Sequence, residues 1–240
     1  MASENHSQEN GVQNVMEVAQ VAVVMVPLPA QGHLNQLLHL SRLVSAYDIP
    51  VHFVGTATHN RQAKVRVHGW DPSATTNIHF LDLPTPPFDS PLPDPNATTK
   101  FPSQILPAFH ASIHLREPVY SFVHELSSTA RRIAVIYDSL MAYVVQDICS
   151  IPNAESYCFN SISAFSLYSF YWEVNGKPAV TTVEKAVRRL MDSAKGEEMR
   201  KRAAELGDAV KQSVMEGGAT HKEMDSFIAH ISRQNISSQI

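Results

Sequence analysis

Short apolar runs rich in valine and isoleucine alternate with segments of helical periodicity along the first 170 or so residues of the chain. Runs of this kind are typical of strands that are buried on both faces of a parallel sheet. The predicted strands are 21–26, 51–54, 78–81, 133–137 and 156–159. The predicted helices are 34–44, 60–68, 101–128, 139–149 and 161–172, with a break or a new start at Pro118. This alternation predicts crossover connections, and hence an α/β fold with a mostly parallel sheet and flanking helices.

The character of the sequence changes near residue 178. Beyond it, charges are dense and of mixed sign, and alanine, leucine and methionine replace the β-branched runs. Capping boxes at Thr181-x-x-Glu184 and Thr220-x-x-Glu223 predict helix starts. We therefore predict two or three amphipathic helices, separated in one place by Gly217-Gly218, which need another surface to pack on. The predicted divisions are a flexible leader at 1–19, a sheet domain at 20–178, amphipathic helices at 179–235 and a tail at 236–240.

Composition places the chain among globular proteins, since 44% of its 240 residues are hydrophobic and 18% are charged. The formal net charge of −4 gives no electrostatic reason to expect nucleic acid or an anionic membrane as a partner. No apolar run approaches the roughly 18 residues that span a bilayer, and the start of the chain lacks the pattern of a signal peptide. The two cysteines fit a reduced compartment better than a disulfide framework. We therefore expect a cytoplasmic protein.

The first candidate for chemistry is His33. It follows the first predicted strand, after a loop with two prolines and a glycine, at the start of a leucine-rich helix. The positive end of a helix dipole disfavours a protonated imidazole, and a neutral imidazole can accept a proton. The position therefore suits a general base, although a histidine that only occupies a helix start fits the local sequence equally well.

A second candidate, Asp138, directly follows the predicted strand at 133–137. In open α/β sheets, polar residues at the carboxyl ends of strands face the ligand crevice, and His33 occupies a comparable position. An ionised aspartate there could hold the imidazole in the tautomer that a base requires. Taken alone, Asp138 is more typical of a helix N-cap, but the two residues together favour the functional interpretation.

Other segments carry weaker signals. The segment 84–102 contains seven prolines and either borders a ligand cleft or forms a solvated loop. His110 and His114 could share a helix face, but no third ligand lies at a matching spacing, so packing or pocket lining is favoured over metal binding. We expect the aromatic side chains of the helix at 161–172 to form core and cleft wall. These are Phe165, Tyr168, Phe170, Tyr171 and Trp172.

Several motifs together resemble the plant UDP-dependent glycosyltransferases. Val-Pro-Leu-Pro-Ala-Gln-Gly-His-Leu-Asn at 26–35 is similar to their first strand–loop–helix unit, and Ile-Tyr-Asp-Ser-Leu-Met at 136–141 to the strand that carries their aspartate. The proline-rich segment 91–102 resembles the zeatin O-glycosyltransferase subgroup, and parts of 183–221 resemble the C-terminal helices of the family. The resemblance covers nearly all of 18–233.

This resemblance implies a GT-B architecture, in which two Rossmann-like domains face each other across a cleft and the N-terminal one binds the acceptor. The implied reaction transfers glucose or xylose from UDP-glucose or UDP-xylose to the side-chain hydroxyl of a cytokinin such as zeatin, with inversion and without a metal or resident cofactor. His33 would be the general base and Asp138 would orient it. The candidate acceptor-binding residues are Gly32, Phe88, Phe109 and Asn160.

The sequence departs from the family in one respect. The family's donor-binding box, with a Trp-Ala-Pro-Gln start and a His-Cys-Gly-Trp-Asn-Ser core, does not occur, and neither does a glycine-rich pyrophosphate loop. The sequence passes near Val180 from one domain directly into the last helices. Two interpretations follow: an active glycosyltransferase, or a truncated, non-catalytic acceptor-binding remnant. We expect a monomer, with self-association if a surface normally covered by the missing domain is exposed.

Overall fold

Five parallel strands form the central sheet, in the order β3-β2-β1-β4-β5. The computed structural model describes residues 19–89, 91–92, 94–96, 105–176 and 194–233. The strands are β1 (Ala19–Val26), β2 (Val51–Gly55), β3 (Ile78–Asp82), β4 (Ala130–Asp138) and β5 (Ala154–Phe159). The apolar runs of β1, β2 and β4 are largely buried on both faces, as predicted, because helices cover both sides of the sheet. The edge strands β3 and β5 are partly exposed. The predicted α/β class with a parallel sheet is confirmed.

α-Helices lie between β1 and β2, between β2 and β3, between β3 and β4, and after β5. They are α1 (Gln31–Ser45), α2 (Ala57–Val65), α3 (Leu106–Ser112), α4 (Arg116–Leu126), α5 (Ala164–Val174), α6 (Ala194–Ser213) and α7 (Ala219–Ser232). One face of the sheet packs against α4 and the short helices after β4, and the other against α1, α2 and α7. Pro118 lies in the first turn of α4, where its missing N–H leaves no helical hydrogen bond unmade, so the predicted new start is confirmed.

The helix predicted over 139–149 is instead two short 3-10 helices, Ser139–Val144 and Gln146–Ser150. Val145 separates them with φ −106° and ψ 10°. The buried residues Met141, Val144 and Ile148 follow a spacing of three and four, which both kinds of helix satisfy over such a short length. Periodicity therefore predicted the buried face correctly and the type of helix wrongly.

The last helix, α7, packs directly on the sheet. Ile231 is fully buried in the core formed with β1 and β4, and the ring of Phe227 meets that of Tyr157 on β5 edge to face, with centroids 5.7 Å apart. The Tyr47 hydroxyl donates a hydrogen bond to Asp225 over 2.6 Å, which ties the end of α1 to α7. A helix at the end of the described chain thus completes the core of the sheet.

The capping box predicted at Thr220-x-x-Glu223 is wrong. The N-cap of α7 is Gly218, so Thr220 lies inside the first turn, where its hydroxyl donates to Ser213 over 3.3 Å. Gly217 has a φ of 74°, a left-handed conformation that glycine adopts without strain, and the predicted helix break there is confirmed. The box predicted at Thr181 lies outside the described residues.

Exposed apolar side chains concentrate on two helices. Tyr168, Phe170, Tyr171 and Trp172 on α5 are 39 to 61% exposed, so the expectation that they form core is wrong for these four. The ring contacts described for them include Tyr168 with Trp172 and Phe170 with Tyr171, and none of the four belongs to either buried cluster of the sheet. Tyr168, Tyr171 and Trp172 line a cavity of about 400 Å³, which agrees with the other part of the expectation, a cleft wall. The side chain of Phe165 lies outside the described part of the structure. On α6 the exposed apolar residues are Met199, Leu206 and Val210. Within the described part of the chain, no helix combines the length and the apolar character that crossing a membrane requires.

Candidate functional site

The switch point of the sheet lies between β1 and β4. From β1, the chain runs outward through β2 and β3 on one side, and β4 and β5 lie on the other. Since all strands are parallel, their carboxyl ends share one edge, and a crevice forms there where the two crossover directions diverge. His33 follows β1, and Asp138 is the last residue of β4. The fold therefore places one of the two predicted residues on each side of the switch point.

The loop between β1 and α1 determines where His33 points. Leu28 is buried in the core, and the Ala30 amide donates a hydrogen bond of 2.7 Å to its carbonyl, which tightens the turn. Ala30 is the N-cap of α1, and no side chain caps the helix. His33 is the third residue of α1 and its amide donates to the Ala30 carbonyl over 2.9 Å. Its side chain, 26% exposed, lies at the positive end of the helix.

Asp138 is fully buried and uses its two carboxylate oxygens for different tasks. Oδ2 lies 2.7 Å from Nδ1 of His33. Oδ1 accepts the backbone N–H of Leu140 over 3.0 Å and so caps the 3-10 helix that follows β4. Asp138 therefore caps a helix and also contacts His33, while its role in orienting a catalytic base stays a prediction.

This geometry selects one form of the imidazole. An ionised carboxylate can only accept hydrogen bonds, so the proton between His33 and Asp138 belongs to Nδ1. In the neutral ring, Nε2 then carries the lone pair and is the atom that can accept a proton from a ligand. When it does so, the buried carboxylate stabilises the imidazolium. The arrangement has the chemical competence of a general base.

A third residue, Ser161, belongs to the site and was missed by the sequence analysis as a functional residue. Its Oγ lies 2.7 Å from the same Nδ1 atom of His33. Ser161 comes two residues after the end of β5, the strand next to β4, so it reaches the same edge of the sheet. The signal that could have identified it is the rule that was applied to His33 and Asp138, a polar residue just beyond the carboxyl end of a strand.

The four candidate acceptor-binding residues do not form one cluster. Gly32 is exposed beside His33, and a Cβ added there would meet nothing within 4 Å. Asn160 is exposed next to Ser161. Phe109 is half-buried on α3 and packs edge to face on Tyr143, with ring centroids 5.7 Å apart. Gly32 and Asn160 thus flank the His33 site, whereas Phe109 lies against the core, and acceptor binding by these residues stays a prediction.

Phe88 lies at the same edge of the sheet but in a different group of residues from those around His33. Its ring stacks in parallel on that of His59, with centroids 5.5 Å apart and an angle of 6° between the planes. Burial lowers the pKa of His59 and keeps it neutral, and its Nδ1 lies 2.8 Å from the hydroxyl of Thr56. A cavity of about 600 Å³ opens beside the pair. Its lining residues are Thr56, Ala57, Thr58, Gln62 and residues 83–89.

His110 and His114 are both exposed. The described residues contain no group of three or more histidine, cysteine, aspartate or glutamate side chains that could hold a metal ion. The two cysteines, Cys149 and Cys158, are free and exposed. The candidate chemistry of the described chain is therefore concentrated at His33.

Comparison with known proteins gives the context of this site. A family model described as the N-terminal domain of glycosyltransferases matches residues 19–228. The chain is 54% identical over 160 residues to a zeatin O-glucosyltransferase of Phaseolus lunatus and 50% identical over 158 residues to a zeatin O-xylosyltransferase of Phaseolus vulgaris. These matches cover 67% and 66% of this chain and 34% of each relative. The chain thus spans about a third of the length of the curated relatives it matches.

A more distant relative and a solved structure were also found. A cis-zeatin O-glucosyltransferase of Zea mays is 46% identical over 138 residues, which is 57% of this chain and 30% of that protein. The crystal structure of Arabidopsis thaliana UGT89C1 in complex with quercetin is 20% identical, with a TM-score of 0.46. The match covers 63% of this chain and 37% of that structure.

Proposed function

The chain belongs to the glycosyltransferase family of plant UDP-sugar-dependent enzymes, and from this premise we propose that it serves the acceptor side of O-glycosyl transfer to a cytokinin such as zeatin. The observation that carries the proposal is the distance of 2.7 Å between His33 Nδ1 and Asp138 Oδ2 at the switch point of the sheet. The identity of the acceptor rests on the names of the relatives, which are zeatin O-glucosyl- and O-xylosyltransferases.

In the proposed reaction, His33 Nε2 removes the proton of the acceptor's side-chain hydroxyl. The oxygen attacks the anomeric carbon of UDP-glucose or UDP-xylose from the face opposite the leaving group. A new C–O bond forms, the bond between the sugar and UDP breaks, and UDP leaves with the electron pair, so the configuration inverts. The proton stays on Nε2 until solvent removes it, and Asp138 stabilises the imidazolium meanwhile.

Turnover is tested by incubating the purified chain with zeatin and either UDP-glucose or UDP-xylose. The expected result is a zeatin O-glycoside whose formation is lost in His33→Ala, because a positioned general base contributes about 10²–10⁴-fold to such a step. His114→Ala, which changes an exposed histidine with no described hydrogen bond to His33, Asp138 or Ser161, is the matched control and should leave the rate unchanged. Absence of product above background contradicts catalysis by this chain.

A second candidate function, binding of the acceptor without turnover, is favoured by a specific feature of the sequence. The donor-binding box of the family is absent from these 240 residues. Bringing two reactants together in the right geometry contributes more to such reactions than the base alone, so a site without a place for the donor turns over slowly or not at all. The acceptor would bind near His33 and the cavity beside Phe88.

Calorimetry distinguishes the two candidates. Zeatin and UDP-glucose are titrated separately into the chain. Heat of binding for zeatin but not for UDP-glucose supports the second candidate, whereas tight binding of UDP-glucose contradicts it and supports the first. Absence of binding by either ligand contradicts both.

A further inference from the structure

Nδ1 of His33 has two hydrogen-bond partners at the same distance. Asp138 Oδ2 and Ser161 Oγ both lie 2.7 Å from it, one from the end of β4 and the other from the loop after β5. A ring nitrogen has a single in-plane direction, occupied either by one hydrogen or by one lone pair. Asp138 and Ser161 must therefore share that one direction, so the donor and acceptor roles of His33, Asp138 and Ser161 depend on one another.

With Asp138 ionised, only one assignment of protons satisfies these three groups. If Ser161 donated its hydrogen to Nδ1, that nitrogen would carry a lone pair, and the lone pair would face the carboxylate of Asp138 with no proton between them. With the proton on Nδ1, both oxygens accept it in a three-centre hydrogen bond. The Leu140 amide donates to Oδ1 over 3.0 Å, which leaves Oδ2 as the carboxylate oxygen that meets Nδ1.

We infer that Ser161 is a positioning residue that acts on His33 as a second hydrogen-bond acceptor and helps to keep the proton on Nδ1. This inference deepens the proposed function, since it rests on His33 acting as the base through Nε2. Asp138 approaches from the neighbouring strand and Ser161 from one strand further along the sheet, so together they restrict rotation of the ring. Loss of the Ser161 oxygen leaves a single partner at Nδ1 and weakens the preference for the productive tautomer.

The loop that carries Ser161 contains a second serine, at the start of α5. Ser163, two residues later, is the N-cap of that helix, and its hydroxyl accepts the backbone N–H of Ser166 over 3.1 Å. Ser163→Ala removes this cap, while no described contact joins Ser163 to His33. It is therefore a matched control, because it deletes one serine hydroxyl from the same loop and leaves the oxygen that faces Nδ1.

The test is nitrogen NMR of the imidazole of His33 in the intact chain labelled with ¹⁵N-histidine, where the two ring nitrogens report the tautomer directly. The signals are assigned from their loss in His33→Gln. In the unmodified chain at alkaline pH we expect a protonated Nδ1 and an unprotonated Nε2. In Ser161→Ala we expect the ratio of the Nδ1–H to the Nε2–H form to fall about three- to tenfold, the equivalent of one ordinary hydrogen bond.

Two further variants make the result specific to the hydroxyl group. Ser161→Thr keeps the oxygen and should restore the tautomer ratio, and Ser163→Ala should leave it as in the unmodified chain. A ratio that is unchanged in Ser161→Ala overturns the inference, and so does an equal fall in Ser161→Ala and Ser163→Ala. The NMR measurement needs neither donor nor acceptor, so absence of glycosyl transfer would contradict catalysis by this chain without affecting this result.

Discussion

His33 and Asp138 are 105 positions apart in the chain, and their side chains meet with 2.7 Å between Nδ1 and Oδ2. The second oxygen of Asp138 is held by the Leu140 amide, so the carboxylate has one orientation and presents a defined atom to the imidazole. A contact of this kind determines both the tautomer and the direction of the ring. The pair therefore predicts how the imidazole responds when the charge of Asp138 is removed.

Replacement of Asp138 by asparagine should reverse the tautomer of His33. The Leu140 amide needs an acceptor and keeps the amide oxygen of the new side chain, so its NH₂ group faces Nδ1 and donates to it. Nε2 then carries the hydrogen and cannot act as a base. We expect a fall of about 10²–10⁴-fold in any glycosyl transfer, and a protonated Nε2 in nitrogen NMR. In the control Asp147→Asn, which alters an exposed carboxylate paired with Arg116, the ring should be unaffected.

Truncation of Ile231 to alanine should destabilise the whole sheet domain. This side chain is fully buried between α7 and the sheet, so its removal leaves a cavity, and we expect a loss of about 2–4 kcal/mol in the free energy of unfolding. Urea denaturation measures it. Ile113→Ala removes the same atoms from a side chain that is 51% exposed and should cost less than about 1 kcal/mol. Equal losses in the two variants would show that α7 does not pack on the sheet in solution.

Stability should fall in acid because of His52. Burial, and to a lesser extent the neighbouring His79, lowers the pKa of His52 from 6.5 to about 4. Between these values the unfolded chain binds a proton that the folded chain does not, so this contribution to stability is present above pH 6.5 and is lost as the pH falls towards 4. We expect a loss of about 1–2 kcal/mol, because partial exposure of the ring reduces the full effect.

The measurement is urea unfolding at pH 7 and pH 4.5 for the unmodified chain and His52→Gln. The variant should lose less stability between the two pH values than the unmodified chain. His124→Gln, on the exposed surface of α4, is the control and should retain the full pH dependence. If the pH dependence of His52→Gln equals that of the unmodified chain, His52 is not the group responsible.

Removal of the Phe88 ring should weaken acceptor binding. Phe88 lines the cavity of about 600 Å³ and is held in place by its stacking on His59. Its loss removes an apolar wall, and we expect the Kd for zeatin in calorimetry to rise about tenfold. Leu92→Ala, in the same proline-rich segment but 91% exposed, should bind zeatin as the unmodified chain does. Unchanged affinity in Phe88→Ala would place the acceptor elsewhere.

The sequence predicted those features that depend on local pattern. The five strands were recognisable from short apolar runs, and His33 and Asp138 from their positions directly after two of these runs. Capping chemistry was less reliable, because Gly218 begins α7 and leaves Thr220 inside the helix. Ser161 had the same type of position as Asp138, but a serine after a strand is common and carries no distinctive chemistry by itself.

By itself, the sequence determined the fold class and the two residues of the proposed base. Both the hydrophobic periodicity and the location of a residue directly after a strand can be read from consecutive residues. Only the tertiary structure decided that Ser161 shares Nδ1 with Asp138, that α7 completes the core through Ile231, and that four aromatic side chains of α5, at 168, 170, 171 and 172, are exposed. These relationships join segments that are distant in the chain. They follow from the order and twist of the strands, which bring particular strand ends to one crevice. The order of strands in a sheet cannot be read from a local sequence pattern.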